Sequence, residues 1–92
     1  MVTVYIPTML QTLTAGVKQA QVEAGNIRQV VDRLEDLFPG IRERLVEDGA
    51  LRPNLSVAID GEVGRRGLLE RVRENSEVHF VPAISGGTGG TA

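Results

Sequence analysis

The sequence has no cysteine, one histidine, one lysine and only three aromatic residues. Without cysteine the chain cannot form a disulfide framework or supply a thiol nucleophile, and a single histidine does not complete a zinc site. Stacking platforms for bases and aromatic cages for cations are excluded as well, because Tyr5, Phe38 and Phe80 are the only aromatic side chains. We therefore expect an aliphatic core and no bound metal.

An excess of positive charge is also missing, since ten basic residues stand against twelve acidic ones and the net charge is −2. A protein that binds phosphate backbones needs a strong positive field, so nucleic acid is not an expected partner. Apolar runs are only a few residues long, and the first residues lack the basic segment and apolar block of a secretory signal. We expect a single small domain, cytoplasmic and without a membrane partner.

The first half of the chain predicts a β-hairpin followed by one long helix. Residues 2–6 alternate in polarity and end at Pro7, which predicts a strand, and residues 17–22 predict a weaker one. Asn26 suits a helix N-cap, and Pro39-Gly40 is a stop signal. Between them, apolar residues recur at helical spacing: Ile27, Val30, Val31, Leu34, Leu37 and Phe38.

The second half predicts a short helix, a strand, a helical turn and a final strand. The short helix extends from Ile41 to Asp48-Gly49, and residues 55–59 form a strand that ends in the Asp60-Gly61 turn. Residues 64–67 are a loop, residues 68–72 contain one helical turn, and residues 77–81 form the last strand. The fold class is α+β, a mixed sheet packed on one main helix, with the first and last strands as central neighbours. The expected apolar face of the sheet consists of Val2, Val4, Ile6, Leu55, Val57, Ile59, Val78 and Phe80.

Residues 82–92 carry two glycine pairs among small polar residues. Such a composition is typical of an ordinary frayed terminus. The same composition also suits a second role, because a backbone without β-carbons can thread a narrow channel and bring a carbonyl close to a reacting atom of another protein. Eleven extended residues reach roughly 35 Å.

Four segments favour the second role when they are taken together in their order and spacing. They are residues 2–8, the helix from Asn26 with Leu34-Glu35, residues 41–45, and residues 82–87. In these segments the chain resembles the ubiquitin-like sulfur-carrier family of the ThiS and MoaD type, most closely the branch that supplies sulfur for cysteine biosynthesis. The resemblance covers nearly the whole chain. It implies a β-grasp domain over residues 1–84 and a flexible C-terminal tail over residues 85–92.

The resemblance also implies the chemistry. The working group is the carboxylate of the last glycine, here Gly87, which a ubiquitin-activating-type adenylyltransferase adenylates with ATP before sulfur replaces AMP to give a thiocarboxylate. The carrier is not an enzyme and binds no cofactor itself. The implied sulfur acceptor is a pyridoxal-phosphate-dependent cysteine synthase. The tail that threads the partner's site would consist of Ile84, Ser85, Gly86 and Gly87.

The chain departs from the simplest family pattern because Thr88 follows Gly87, so that the carboxylate is held in a peptide bond. We expect removal of this extension by a zinc metalloprotease of the JAMM type, which accompanies some family members. Cleavage between Gly87 and Thr88 is the first choice. Cleavage after Gly90 would also leave a diglycine.

Other functions remain open at this point. Within the same chemistry, the sulfur could serve molybdopterin, thiamine or tRNA thiolation. A ubiquitin-like modifier, conjugated to lysines of other proteins through Gly87, is a second class. A plain interaction module with an inert tail is a third. An enzyme is the least expected class, because no nucleophile, base and orienting group fall together.

Three residues next to the tail, His79, Val81 and Pro82, form the predicted docking patch for the activating enzyme, together with Ile84. Edge packing within the domain is the competing interpretation. A role of His79 as a general base or pH sensor is less favoured than an ordinary outward-facing strand position, since no partner residue is suggested nearby.

Two groups of charged residues lie outside the tail and the docking patch. The first group is basic and consists of Arg65, Arg66, Arg71 and Arg73. It can steer an acidic partner towards the protein or simply form a solvated surface. The second is better explained by surface ion pairs with Arg28 and Arg33 than by a divalent ion, and it consists of Asp32, Glu35 and Asp36.

Overall fold

The computed structural model describes residues 1–82. The predictions for Ile84, Ser85, Gly86, Gly87 and Thr88 therefore lie outside the described residues, as does the boundary at residue 84. The strands and helices, in chain order, are β1 (Val2–Tyr5), β2 (Gln19–Val22), α1 (Ile27–Leu37), α2 (Ile41–Leu45), β3 (Val46–Glu47), β4 (Ala50–Leu51), β5 (Leu55–Ile59), β6 (Glu62–Gly64) and β7 (Glu77–Pro82), with single 3-10 turns at Thr8–Leu10 and Gly67–Leu69.

Five strands form one mixed sheet in the order β2-β1-β7-β5-β6. β1 pairs with β2 as the predicted hairpin, and β7 lies between β1, to which it is parallel, and β5, to which it is antiparallel. The prediction that the first and last strands are central neighbours is confirmed. The final strand of the described chain is thus the middle strand of the sheet.

α1 begins and ends where the sequence predicts. The Asn26 side chain accepts a hydrogen bond from the Gln29 amide at 2.8 Å, while the Gln29 side chain accepts one from the Gly25 amide at 2.7 Å. These contacts satisfy two amides that the helix start would otherwise leave free. Gly40 follows the helix with φ of 99°, in the left-handed region that favours glycine.

The core between α1 and the sheet is aliphatic except for Phe80, as predicted. α1 contributes Ile27, Val30, Val31 and Leu34, all fully or almost fully buried on one face. Seven of the eight residues predicted for the apolar face of the sheet are buried, and Ile59 is partly buried against them. The periodicities of 3.6 in the helix and 2 in the strands therefore identify the same core, with the exception of Leu37, which continues the helical spacing but is 52% exposed.

Two short strand pairs were not predicted. The helix predicted from Ile41 to Asp48-Gly49 ends at Leu45 instead, and β3 then pairs with β4 in a ribbon. Asp48 and Gly49 have φ of 54° and 79°, the conformation of a tight hairpin turn rather than of a helix end. The Asp60-Gly61 turn was predicted, and the strand β6 that follows it and pairs with β5 was not.

Two of the three acidic side chains of α1 form surface ion pairs, one with a predicted partner and one with a different arginine. Asp32 pairs with Arg42 at 2.6 Å instead of with Arg28, and Asp36 pairs with Arg33 at 3.7 Å. Within residues 1–82 no group of three side chains is placed to hold a metal ion. Over the same range, no helix is both long enough and apolar enough to span a bilayer.

Glu35 connects the two helices. Its carboxylate accepts hydrogen bonds from the Arg42 amide at 2.9 Å and from the Gly40 amide at 3.1 Å, at the start of α2. These two bonds lower the pKa of Glu35 below its ordinary value of 4.5, with the Arg42 amide as the larger cause. The carboxylate thus supplies the partners that the N-terminal amides of α2 need.

Glu35→Gln is expected to lower the melting temperature at neutral pH. Because the pKa of Glu35 is lower in the folded state than in the unfolded chain, its stabilisation is complete above pH 4.5 and is lost as the pH falls through the lower folded value. The melting temperatures of the two proteins should therefore converge in acid. The matched control is Asp36→Asn on the same helix, which breaks only an exposed ion pair and should change little. An equal effect of both variants at neutral pH would contradict the assignment.

Candidate functional site

The C-terminal end of β7 leads directly to the diglycine tail. β1 pairs with β7 only as far as His79, and the following residues pair with β5, with Val81 opposite Ser56 and Pro82 opposite Leu55. Phe80 is buried and anchors this part of the strand in the core. The tail therefore leaves from a strand that is held firmly in the middle of the sheet.

The sheet surface that faces away from α1, called the outer face below, carries a row of side chains across four strands. Tyr5, His79, Ala58 and Val63 are direct partners on successive strands and point to this face. The rings of Tyr5 and His79 are stacked, with centroids 4.3 Å apart and an angle of 4° between their planes. The expectation that His79 is an outward-facing strand residue is confirmed.

Two of the three predicted docking residues form a strip on the outer face next to the tail. Val81 lies two residues after His79 and shares the outer face with it, and both are partly buried. Pro82 is exposed and ends the strand. The structure thus brings His79 and Val81 together on the outer face, whereas Pro82, opposite Leu55, alternates to the other face of the strand, and the use of all three in docking stays a prediction.

The point where the tail leaves has neighbours that the sequence analysis did not single out. A shallow depression beside Leu55, the partner of Pro82, is lined by Met9, Arg44 and Asn54 among others. These residues come from the Thr8–Leu10 turn, from α2 and from the loop before β5. No motif in the sequence indicates their proximity, because it arises only when the three segments fold together.

Comparison with known proteins identifies the family. The family model described as ThiS family matches residues 4–87. The sulfur carrier protein CysO of Mycobacterium tuberculosis is 32% identical over 91 residues, which cover 94% of this chain and 98% of that protein. A chain in the crystal structure of the BexX/CysO complex of Amycolatopsis orientalis is 32% identical with a TM-score of 0.86, and the alignment covers 98% of this chain and 100% of that chain.

The crystal structure of Mycobacterium tuberculosis CysO superposes with a TM-score of 0.82 at 28% identity, over 91% of this chain and 100% of that chain. These matches confirm the β-grasp fold, and the relatives are sulfur carriers rather than enzymes, in agreement with the expectation for this chain. The family model includes both the body of the domain and the diglycine at its end. The chain belongs to the ThiS family.

Proposed function

We propose that this protein is a sulfur carrier that supplies sulfur for cysteine biosynthesis. The observation that carries the proposal is the family match, which extends through the body of the domain and ends at Gly87, the second residue of the diglycine. The similarity to CysO over almost the full length of both chains supports the cysteine branch over molybdopterin, thiamine or tRNA thiolation.

The proposed chemistry takes place at the carboxylate of Gly87. A carboxylate oxygen attacks the α-phosphorus of ATP in the adenylyltransferase and releases pyrophosphate, which turns a poor electrophile into an acyl-adenylate. A sulfur nucleophile then attacks the acyl carbon, AMP leaves, and the product is a thiocarboxylate. The carrier supplies no base; its residues contribute by delivering a narrow arm from a rigid body. The pyridoxal phosphate of the proposed acceptor, a cysteine synthase, belongs to that enzyme.

The carrier is tested with a chain that ends at Gly87. Incubation with the adenylyltransferase of the same organism, ATP and a sulfide source should raise its intact mass by about 16 Da, the exchange of one oxygen for sulfur. The matched control replaces Gly86 and Gly87 with alanine. The added methyl groups make the tail too wide for a channel that fits glycine, so the gain in mass should be abolished. An unchanged mass with an enzyme preparation that is active on another carrier of the family would contradict the proposal.

The part of the outer face on β1 and β7, around Tyr5, His79 and Val81, is the proposed docking surface for the adenylyltransferase. His79 and Val81 lie on the strand that continues into the tail, so an enzyme bound there is next to the residue at which the tail begins. The stacked pair of Tyr5 and His79 adds a flat, partly apolar area. Because β7 is paired over this region, docking requires little ordering of the backbone.

His79→Glu is expected to raise the KM of the adenylyltransferase for the carrier about tenfold, the equivalent of about 1.4 kcal/mol, because it places a charge in the middle of the docking surface. The kcat should change little, since His79 takes no part in the chemistry. Leu37→Glu is the matched control, because it adds the same charge at an exposed position of α1, on the opposite side of the sheet. Equal values of KM for the two variants, with both proteins folded by circular dichroism, would exclude this surface.

The extension beyond Gly87 is proposed to be removed by a metalloprotease of the JAMM type. The support is chemical: while Gly87 is joined to Thr88, it has no carboxylate to activate. Processing would therefore determine when the carrier becomes competent.

A further inference from the structure

A group of arginines lies beside the edge strand β6, away from the outer-face strip at the tail. Arg65, Arg66, Arg71 and Arg73 are all exposed. In the described part of the chain, residues 1–82, the arginines that form ion pairs are Arg33, Arg42 and Arg52, and none of the four takes part. Their guanidinium groups are therefore available to a ligand.

Three carboxylates line a depression with the four arginines; two of them, Glu70 and Asp60, already accept hydrogen bonds, and the third, Glu62, is exposed on β6. Glu70 accepts hydrogen bonds from the amides of Arg65 and Arg66, both at 2.9 Å. Asp60 accepts from the Glu77 amide at 2.9 Å and from the Ser76 hydroxyl at 3.1 Å. Residues 62–73 contain four arginines and two glutamates, a net charge of +2, whereas the whole chain has −2. This segment therefore carries a net positive charge, although the whole protein carries a net negative one.

The loop that presents the arginines is preorganised. A β-carbon on Gly64 would lie 2.6 Å from the Glu70 side chain, so only glycine leaves room for the carboxylate that holds the loop. The Leu69 amide donates to the Arg66 carbonyl and the Glu70 amide to the Gly67 carbonyl, each at 3.1 Å. A loop that is already ordered loses little conformational entropy on binding.

Two aliphatic side chains are exposed among the arginines. Val63 is 62% exposed and Leu69 is 71% exposed. Both line a shallow depression with Arg65 and Arg66, and Leu69 lines a second one with Arg71 and Arg73. Two exposed aliphatic side chains next to unpaired arginines form a surface that is expected to bind an apolar side chain flanked by carboxylates.

We propose that these six residues form a second binding face, for an acidic segment of a partner protein that carries an aliphatic anchor. The anchor packs against Val63 and Leu69, and its flanking carboxylates pair with the arginines. A protein segment is favoured over nucleic acid because residues 62–73 contain no aromatic side chain on which a base could stack, and because the protein as a whole is negatively charged. The face lies at the far edge of the sheet from β2 and does not involve the tail.

The test uses the full chain, labelled with 15N, and a synthetic peptide in which leucine alternates with glutamate. Amide shifts should concentrate in residues 62–73, and the affinity should weaken several-fold between about 50 mM and about 300 mM salt, because the contacts are exposed ion pairs. Arg65→Gln with Arg66→Gln should weaken binding about fivefold or more. This variant keeps the two amides that bind Glu70, so the loop retains its fold. Arg33→Gln with Arg44→Gln removes the same charge elsewhere and should leave the affinity unchanged.

Leu69→Ser tests the apolar part and should weaken binding while it leaves the salt dependence in place. A peptide with glutamine in place of glutamate should not bind. Equal weakening by the two double variants would show a general charge effect and overturn the proposal. Shifts centred outside residues 62–73 would overturn it as well, as would binding of an oligothymidylate at these residues without binding of the acidic peptide.

Discussion

A chain that extends to Ala92 is expected to gain no mass in the adenylation and sulfur-transfer assay, whereas the chain that ends at Gly87 gains about 16 Da. The reason is that a peptide carbonyl bears no free oxygen anion to attack ATP, so Gly87 is inert while Thr88 follows it. The measurement is intact mass after incubation of chains 1–87, 1–90 and 1–92 side by side. Addition of a JAMM-type protease from the same organism should make the longest chain competent.

The chain that ends at Gly90 is the informative comparison, because it also presents a diglycine but on a longer arm. If only this chain gains mass, the reacting carboxylate is that of Gly90, the processing site lies after Gly90, and the assignment of the chemistry to Gly87 is wrong. If chain 1–92 gains the same mass without protease, the removal of the extension is unnecessary and the processing proposal is wrong, while the carrier proposal survives.

Leu34→Ala is expected to destabilise the fold by about 3 kcal/mol, since it removes buried methyl groups and leaves a cavity in a core that cannot close around it. Leu34 is 0% exposed and lies on the apolar face of α1. For a domain of this size, that loss is a large part of a total stability of about 5–10 kcal/mol. Urea unfolding followed by far-UV circular dichroism gives the value directly.

Leu37→Ala is the matched control on the same helix, where the side chain is 52% exposed. Its cost should stay below about 1 kcal/mol, because surface substitutions away from special contacts have small effects. Equal losses at the two positions would show that α1 does not pack on the sheet through the face assigned to it.

The elements that sequence reasoning predicted well are those with a local signal. α1 has both a cap at Asn26 and an apolar period of 3.6, and the two agree on where the helix lies. The outward position of His79 followed from alternation in a strand with buried neighbours on both sides. At these positions local propensity and tertiary burial favour the same structure, so it can be predicted without knowing which residues they contact in the fold.

The short strands could not be predicted, because they exist through their pairing. β3 and β4 have two residues each, too few for a period, and the helical spacing of Ile41, Leu45 and Val46 extended the predicted helix through β3 to the turn before β4. The partner of Asp32 was missed for a related reason. Its nearest helical neighbour in sequence is Arg28, but the turn at Gly40 brings Arg42 within reach.

Because β7 is the central strand, the sheet cannot be completed until the last described strand of the domain has been synthesised. The hairpin of β1 and β2 and the hairpin of β5 and β6 contact the sheet's middle strand on opposite sides, and that strand is the last of the described elements to be translated. In a nascent chain, the edges of β1 and β5 that face each other therefore stay unpaired until Glu77–Pro82 leaves the ribosome, and non-local pairing of this kind is slow. Premature termination before this strand would leave two unjoined halves that are prone to aggregate.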